Sequence, residues 1–317
     1  MGRYAARRLL QLIPVFLGAT LLLYAMVFMI PGDPIRALFG ERQVAEATVE
    51  QLRDRYNLND PFFVQYAKYM GFLPDGEDGF SGLLQGNLGE DFRGRAVSDI
   101  VTQRFPPTVR LAAGAMLVQA VVGILAGILA AIRRNSFWDS LVLVSTTLLV
   151  AVPLFVAESV AQLVFGLRLG WFPIAGLNDG AMSYVLPILM LASISLAYTA
   201  RLTRTSMVEN SRADYVRTAR AKGLKSPRVI GRHVLRNSLI PVVTFLGVDF
   251  GGLLGGAIIT ETIFNIPGIG RAVFEAVTQR EGAVVVGIVT LLVVIYLVVN
   301  LVVDLLYGVL DPRIRYE

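Results

Sequence analysis

The sequence predicts an all-α membrane protein with six transmembrane helices. Of its 317 residues, 55% are hydrophobic and only 17% are charged, whereas about 25% are charged in a typical soluble domain. The apolar residues cluster in runs of about 20, the length that spans the hydrocarbon core of a bilayer. Helices are expected because backbone groups in lipid have to be hydrogen-bonded within their own segment. The six runs cover residues 9–30, 109–132, 141–165, 184–200, 239–259 and 283–307.

The charges of the connecting loops predict the orientation of these helices. Residues 201–238 contain ten basic and two acidic side chains, and the N-terminal tail contains three arginines and no acid. Residues 31–107, on the opposite side, contain eight basic and twelve acidic side chains. Because short basic loops remain in the cytoplasm, we expect both termini and the 201–238 loop to be cytoplasmic.

The order of these features predicts how the chain is organised. A signal peptide is the alternative for the first run, but the run is longer than usual and no Ala-x-Ala-like site follows it. An external subdomain is expected between the first two helices, with a helix near 44–56 and a glycine-rich patch at 71–89. The predicted segments are 1–30 (cytoplasmic N-terminus and first helix), 31–107 (external subdomain), 108–308 (helices two to six with a cytoplasmic coupling loop at 201–240) and 309–317 (cytoplasmic tail).

The composition excludes several kinds of site. The absence of cysteine excludes a disulfide framework and a cysteine-based zinc site, and the single histidine, His233, makes a poor metal site. None of the three lysines follows a glycine, so a Gly-Lys-Ser/Thr phosphate loop is missing. We therefore expect no catalytic residue, metal or cofactor in this chain. A membrane scaffold or an enzyme with no transport role remains the alternative from another class.

The basic 201–238 loop has the pattern of a helical hairpin. Residues 212–222 form a helix-favouring run, and Gly223 suits the tight turn after a helix. Ser226 is expected to cap a second helix, with Pro227 at its first position. A basic loop touching anionic lipid and a compact element that docks into a partner are both consistent with this pattern. Five apolar side chains are available for one face, namely Tyr215, Ala219, Leu224, Val229 and Ile230.

The same loop resembles the coupling loop, or EAA loop, of ABC importer permeases, and particularly of the dipeptide/oligopeptide/nickel group. The resemblance rests on residues 215–224 (Tyr-Val-Arg-Thr-Ala-Arg-Ala-Lys-Gly-Leu) and 232–241, with further motifs at 30–34, 86–89, 104–108, 261–271 and 311–313. The Glu-Ala-Ala of the generic motif is here Arg217, Thr218 and Ala219, so the acid is absent. The residues that the resemblance assigns to coupling are Asp214, Tyr215, Arg217, Thr218, Ala219, Ala221, Lys222, Gly223, Leu224, Ser226 and Pro227.

The resemblance implies a type I ABC importer fold in a bacterial inner membrane. It implies that the chain forms half of a heterodimeric pathway with a second, similar permease. Two ATP-binding subunits or domains would bind ATP and magnesium and move the coupling loops, and an external binding protein would deliver the solute. Peptides are the expected solutes, and nickel or haem are the alternatives within this class.

Two further sets of residues are candidates for the transport pathway. The turn-rich segment after the fifth run is either a plain surface turn or a re-entrant loop that gates the external end of the pathway. Its candidate residues are Glu261, Phe264, Pro267, Gly268 and Gly270. Glu158 and Asp249 are carboxylates inside apolar runs, where charge is costly and usually faces the bundle interior. Each is expected either to face the pathway or to pair with a residue of the partner permease.

Overall fold

The computed structural model describes residues 2–29, 35, 45–75 and 79–310. Within these residues the regular secondary structure is helical, apart from one isolated antiparallel bridge between Glu90 and Ala96. The predicted motifs at 30–34 and 311–313 lie outside the described residues. The helices, numbered in chain order, are α1 (Gly2–Phe28), α2 (Glu46–Arg55), α3 (Phe62–Met70), α4 (Val97–Val118), α5 (Ile124–Ile132), α6 (Phe137–Ala151), α7 (Leu154–Ala161), α8 (Met182–Asn210), α9 (Asp214–Ala221), α10 (Leu235–Gly256), α11 (Ile258–Ile263), α12 (Ile269–Thr278) and α13 (Gly282–Leu310).

Several of these helices join into longer spans. A π-helical segment, Gln119–Gly123, connects α4 to α5. The second helix of the hairpin begins with one short turn, Ser226–Arg228, and continues through the π-helical segment Val229–Val234 into α10. In the described part of the chain, five helical stretches are long and apolar enough to cross a membrane, and one bent pair makes a sixth. The predicted fold class, a helical membrane protein with up to six spans, is therefore confirmed. The five stretches are Ala6–Phe28, Val97–Ile132, Met182–Asn210, Ser226–Leu254 and Gly282–Leu305.

The bent pair corresponds to the third predicted run, residues 141–165. Its two parts, α6 and the helical stretch Leu154–Arg168 that begins with α7, meet at an angle of 99°. Val152 at the junction is extended, with φ −95° and ψ 128°, and Pro153 follows it. Proline lacks the backbone N–H that a helix needs and disfavours helical backbone in the residue before it. The prediction of one continuous helix at this position was therefore wrong.

The structure divides into two compact units, which combine segments distant in sequence. The first contains residues 107–266 and the described residues from 298 onward, and the second contains residues 267–297 and the described residues between 2 and 106. In the first unit α8 packs against α5, α6 and α10. Helix α8 is 29 residues long, from Met182 to Asn210, and so extends well beyond the predicted run 184–200.

Small residues allow α8 to approach the second span closely. A Cβ atom added to Gly127 would lie 2.5 Å from the carbonyl oxygen of Ala200, and one added to Gly123 would lie 2.9 Å from the Cβ of Thr199. The small-xxx-small spacing of Gly123 and Gly127 therefore marks a helix interface inside this chain.

The second unit has its own apolar core. Buried side chains from the start of α4, from α12 and from the start of α13 form it, among them Val97, Ile269 and Ile288. Helix α3 is attached by two tyrosines. The hydroxyl of Tyr66 lies 2.9 Å from Oγ1 of Thr20 on α1. The hydroxyl of Tyr69 donates a 2.8 Å hydrogen bond to Thr290 on α13.

Replacing Gly127 by alanine is expected to lower the stability of the chain by about 1–3 kcal/mol, the usual range for overpacking. The added methyl group would collide with α8 backbone. Gly18→Ala is the matched control, since a Cβ at Gly18 has nothing within 4 Å. Thermal unfolding of both purified variants in one detergent measures the difference. Equal melting temperatures for the two variants would contradict the close packing of α8.

Candidate functional site

Helix α9 and the turn after it form the centre of the predicted coupling loop. The helix begins at Asp214, two residues later than the sequence predicted, and ends at Ala221. Gly223 then has φ +77°, a left-handed conformation that glycine adopts without steric cost. The N–H of Leu224 donates a 3.3 Å hydrogen bond to the carbonyl of Ala219, which closes the turn. The predicted helix followed by a glycine turn is therefore present.

The second helix of the hairpin starts differently from the prediction. Lys225, not Ser226, occupies the N-cap position, because its carbonyl accepts hydrogen bonds from the N–H groups of Arg228 (3.0 Å) and Val229 (3.1 Å). Ser226 is the first helical residue and its side chain makes no capping hydrogen bond. Pro227 follows in the first turn, where its missing N–H costs nothing.

The apolar side of α9 packs within this chain. Val216 and Ala219 are buried in a cluster with Met207 of α8 and with Val229 and Val234 of the π-helical segment. Leu224 and Ile230 pack against the edge of this cluster. Four of the five apolar residues assigned to one face therefore help to hold the helix on its own chain, and Tyr215 is the exception. Sequence reasoning overlooked Val216, although its spacing of three residues from Ala219 places both on one helix face.

The other side of α9 is exposed and largely polar or basic. The hydroxyl of Tyr215, which is 39% exposed, donates a 2.6 Å hydrogen bond to Oδ1 of Asn210. Eight further predicted coupling residues are also exposed, whereas Ala219 is buried and Leu224 is half-buried. The arrangement leaves one polar surface exposed while the opposite surface is packed against the chain. The eight are Asp214, Arg217, Thr218, Ala221, Lys222, Gly223, Ser226 and Pro227.

Polar contacts brace the helices that carry α9. Arg204 on α8 forms a two-pronged ion pair with Asp139 on α6, with Nε–Oδ1 at 2.5 Å and Nη2–Oδ2 at 2.8 Å. The carboxylate of Asp139 also accepts a hydrogen bond from the backbone N–H of Asn135. Ser238 donates through its hydroxyl to the carbonyl of Ser206, which ties the fifth span to α8. These bonds fix the two ends of the 201–240 loop to the spans.

The predicted gate segment is an ordered turn between α11 and α12. Phe264 is 1% exposed, and its carbonyl accepts a 2.9 Å hydrogen bond from the N–H of Gly176. Glu261 on α11 is fully buried and accepts a 2.5 Å hydrogen bond from Thr108 on α4. Gly268 and Gly270 are buried and Pro267 is half-buried. The segment is therefore not a plain surface turn.

The two predicted pathway carboxylates have different surroundings. Glu158 on α7 is fully buried, and its Oε1 accepts a 2.5 Å hydrogen bond from Thr260 on α11. Its Oε2 has no hydrogen-bond partner among the described residues. Asp249 on α10 is half-buried and accepts hydrogen bonds from Gln119 (2.7 Å) and Ser195 (3.0 Å). Sequence reasoning did not identify these three partner side chains, although Gln119 and Ser195 are polar residues inside apolar runs and Thr260 directly follows one.

Two family models match almost the whole chain. The first, described as a binding-protein-dependent transport system inner membrane component, matches residues 123–316. The second, described as the N-terminal part of such a membrane component, matches residues 1–112.

Relatives match over the full length of both chains. Identity is 39% to a di/tripeptide transport system permease protein from Pseudomonas aeruginosa (strain UCBPP-PA14). It is 36% to an oligopeptide transport system permease protein from Salmonella typhimurium and 37% to a glutathione transport system permease protein from Escherichia coli O1:K1. Each alignment covers 100% of this chain and 100% of the relative.

Solved structures support the fold. The alignment with a chain of an inward-facing methionine ABC transporter covers 67% of this chain and 96% of the transporter chain, with a TM-score of 0.54 at 14% identity. An amino acid ABC transporter matches 67% of this chain and 94% of its own, with a TM-score of 0.52 at 18% identity. With the helical spans and the family models, these likenesses lead to one conclusion: the chain belongs to the family of binding-protein-dependent transport system inner membrane components, the permease subunits of ABC importers.

Proposed function

We propose that the chain forms half of the transmembrane pathway of an ATP-driven importer of short peptides. The observation that carries this proposal is its 36–39% identity, over the full length, to permeases of di/tripeptide and oligopeptide transport systems. A glutathione permease is similarly related, and glutathione is itself a small peptide. The same architecture importing nickel or haem is the alternative.

The exposed face of α9 is the proposed contact with an ATP-binding subunit. Two features support it: the helix is short and exposed on its polar side, and the opposite side is packed into the chain through Val216 and Ala219. A displacement of the exposed face would then be passed to α8 through the cluster around Met207 and through the contacts that brace the loop. ATP and magnesium would bind in the partner subunits, since this sequence has no phosphate loop.

The remaining partners and the orientation also belong to the proposal. A second, homologous permease completes the pathway, two ATP-binding subunits or domains drive it, and an extracytoplasmic binding protein delivers the peptide. The basic 201–238 loop and the acidic 31–107 segment support an inner-membrane topology with both termini in the cytoplasm.

Of the two candidate carboxylates, Asp249 is the more suitable for a place in the pathway. It is half-buried and held by Gln119 and Ser195, so its charge is positioned but not enclosed. Glu158 is enclosed by its own chain and bonded to Thr260, which suits a structural role. The turn containing Phe264 is retained as a gate, in which release of that buried ring would open the external end.

Uptake by the complex reconstituted in proteoliposomes tests the substrate class. Labelled peptides of two to five residues, haem and nickel are offered with the binding protein and ATP. We expect ATP-dependent accumulation of peptides and none of haem or nickel. Accumulation of haem or nickel without peptides would contradict the proposal, and failure of the chain to co-purify with ATP-binding subunits would favour a role outside transport.

Replacing Asp249 by asparagine is expected to lower peptide uptake at least tenfold, because a carboxylate that attracts the peptide ammonium group is lost. Glu158→Gln, which removes a charge from the enclosed site, is the matched comparison and is expected to retain most of the uptake at equal amounts of folded complex. Undiminished uptake by the Asp249→Asn complex would exclude Asp249 from the pathway.

A further inference from the structure

The second unit contains a cavity that the proposed coupling and pathway residues do not use. Its volume is about 280 Å³, near the lower end of the roughly 300–1,000 Å³ of ligand pockets. Parts of α1, α2, α3 and α13 line it, together with residues of the 81–90 loop. Its size suits a ligand of a few residues and is too small for haem.

The wall of the cavity carries an ion pair that is accessible to solvent. Arg55 Nη2 lies 3.3 Å from Glu90 Oε2, and the two side chains are 61% and 45% exposed. Surface ion pairs of this kind are weak, because water competes for both partners. The guanidinium can therefore turn to a carboxylate of a ligand, and the Glu90 carboxylate can turn to an ammonium group.

A second group of polar residues fixes the shape of the same wall. Asn57 has a left-handed backbone with φ +56°, a conformation that asparagine adopts more readily than most residues. Its Nδ2 donates a 2.8 Å hydrogen bond to Asp75, and its Oδ1 accepts a 2.6 Å bond from Lys68. Lys68 is also paired with Asp60 at 2.6 Å. The network is formed without a ligand, which lowers the cost of ordering the site on binding.

Described residues of the glycine-rich patch, in the ranges 71–75 and 79–89, build another side of the cavity. Gly82 packs so closely on Gly71 that an added Cβ would lie 2.4 Å from the backbone nitrogen of Gly71. The side chain of Gln85 joins the two segments, accepting from the N–H of Gly82 and donating to the carbonyl of Gly71. These contacts hold the backbone of Gly82, which lines the cavity.

Aromatic rings supply an apolar surface beside the charged groups. The rings of Tyr24 and Tyr69 have centroids 5.3 Å apart, and Phe28 lies 4.4 Å from Tyr24. Tyr69 donates its hydroxyl proton to Thr290, and burial raises the pKa of Tyr69 to about 12, so this ring remains neutral at physiological pH. Such rings pack favourably against an apolar or aromatic side chain.

We propose that this cavity is a binding site for a free peptide of two or three residues. The Glu90 carboxylate would bind its ammonium group, the Arg55 guanidinium would bind its carboxylate, and the tyrosines would contact its side chain. The cavity by itself supports a site for a ligand that carries both an ammonium group and a carboxylate. That this ligand is the imported peptide rests on the proposed function.

Equilibrium binding of alanyl-phenylalanine to the full chain tests this site without ATP or partner subunits. The purified chain is placed in lipid nanodiscs that lack phosphatidylethanolamine, because that headgroup also carries an ammonium and an anionic group. We expect saturable binding to the wild-type chain. When Arg55 and Glu90 are both replaced by glutamine, we expect at least tenfold weaker binding of the dipeptide. We expect the same loss when the wild-type chain is offered the dipeptide with an acetylated N-terminus and an amidated C-terminus.

The matched control is the double variant R53Q/E50Q. This ion pair lies on the same helix as Arg55, at 3.1 Å, and neither residue lines the cavity. Its affinity for the dipeptide is expected to stay within twofold of the wild type. The proposal is overturned if the wild-type chain shows no saturable binding, if R55Q/E90Q binds as tightly as the control, or if the capped dipeptide binds equally well. Uptake by the whole complex is a separate readout, so failure of this site leaves the proposed transport function open to its own test.

Discussion

Helix α9 has only eight residues, and an isolated helix of that length is marginal in water. Its conformation depends on burying Val216 and Ala219 against Met207 of α8. Burying one valine side chain contributes about 1.5–3 kcal/mol, whereas exposed ion pairs such as that between Arg217 and Asp214 generally contribute about 0–1 kcal/mol. Apolar packing, not the basic charge of the loop, therefore holds the helix in place and leaves its polar face exposed.

The spans that support this helix are joined by close backbone packing and by hydrogen bonds between side chains. Asp249 connects α10 to Gln119 of the second span and to Ser195 of α8, and Glu158 connects α7 to Thr260 of α11. A polar group in an apolar region is costly unless it is hydrogen-bonded. Such pairs therefore favour one arrangement of the helices over alternatives of similar apolar burial.

The sequence predicted the spans well because their apolar runs are long, and it predicted the turn at Gly223 because few other residues suit that conformation. It failed at Val152, because the length of an apolar run indicates neither the break that Pro153 introduces there nor its angle of 99°. The partners of the buried carboxylates and the cavity wall at Arg55 and Glu90 join residues far apart in the chain. No local pattern encodes such pairs, so only the folded structure brings them together.

Because Val216 and Ala219 pack on Met207, α9 is expected to move with α8 as one rigid body, and paired spin labels test this directly. The chain has no cysteine, so the variant with Met182→Cys and Arg220→Cys carries spin labels at these two positions and nowhere else. Both positions are exposed. Helix α8 alone spans about 43 Å at 1.5 Å per residue. Pulsed electron paramagnetic resonance can measure distances between spin labels in this range. In the complex with its ATP-binding partners, we predict one narrow distance distribution that is unchanged when ATP binds. A second population, or a shift as large as one helical turn of about 5.4 Å, would contradict the account.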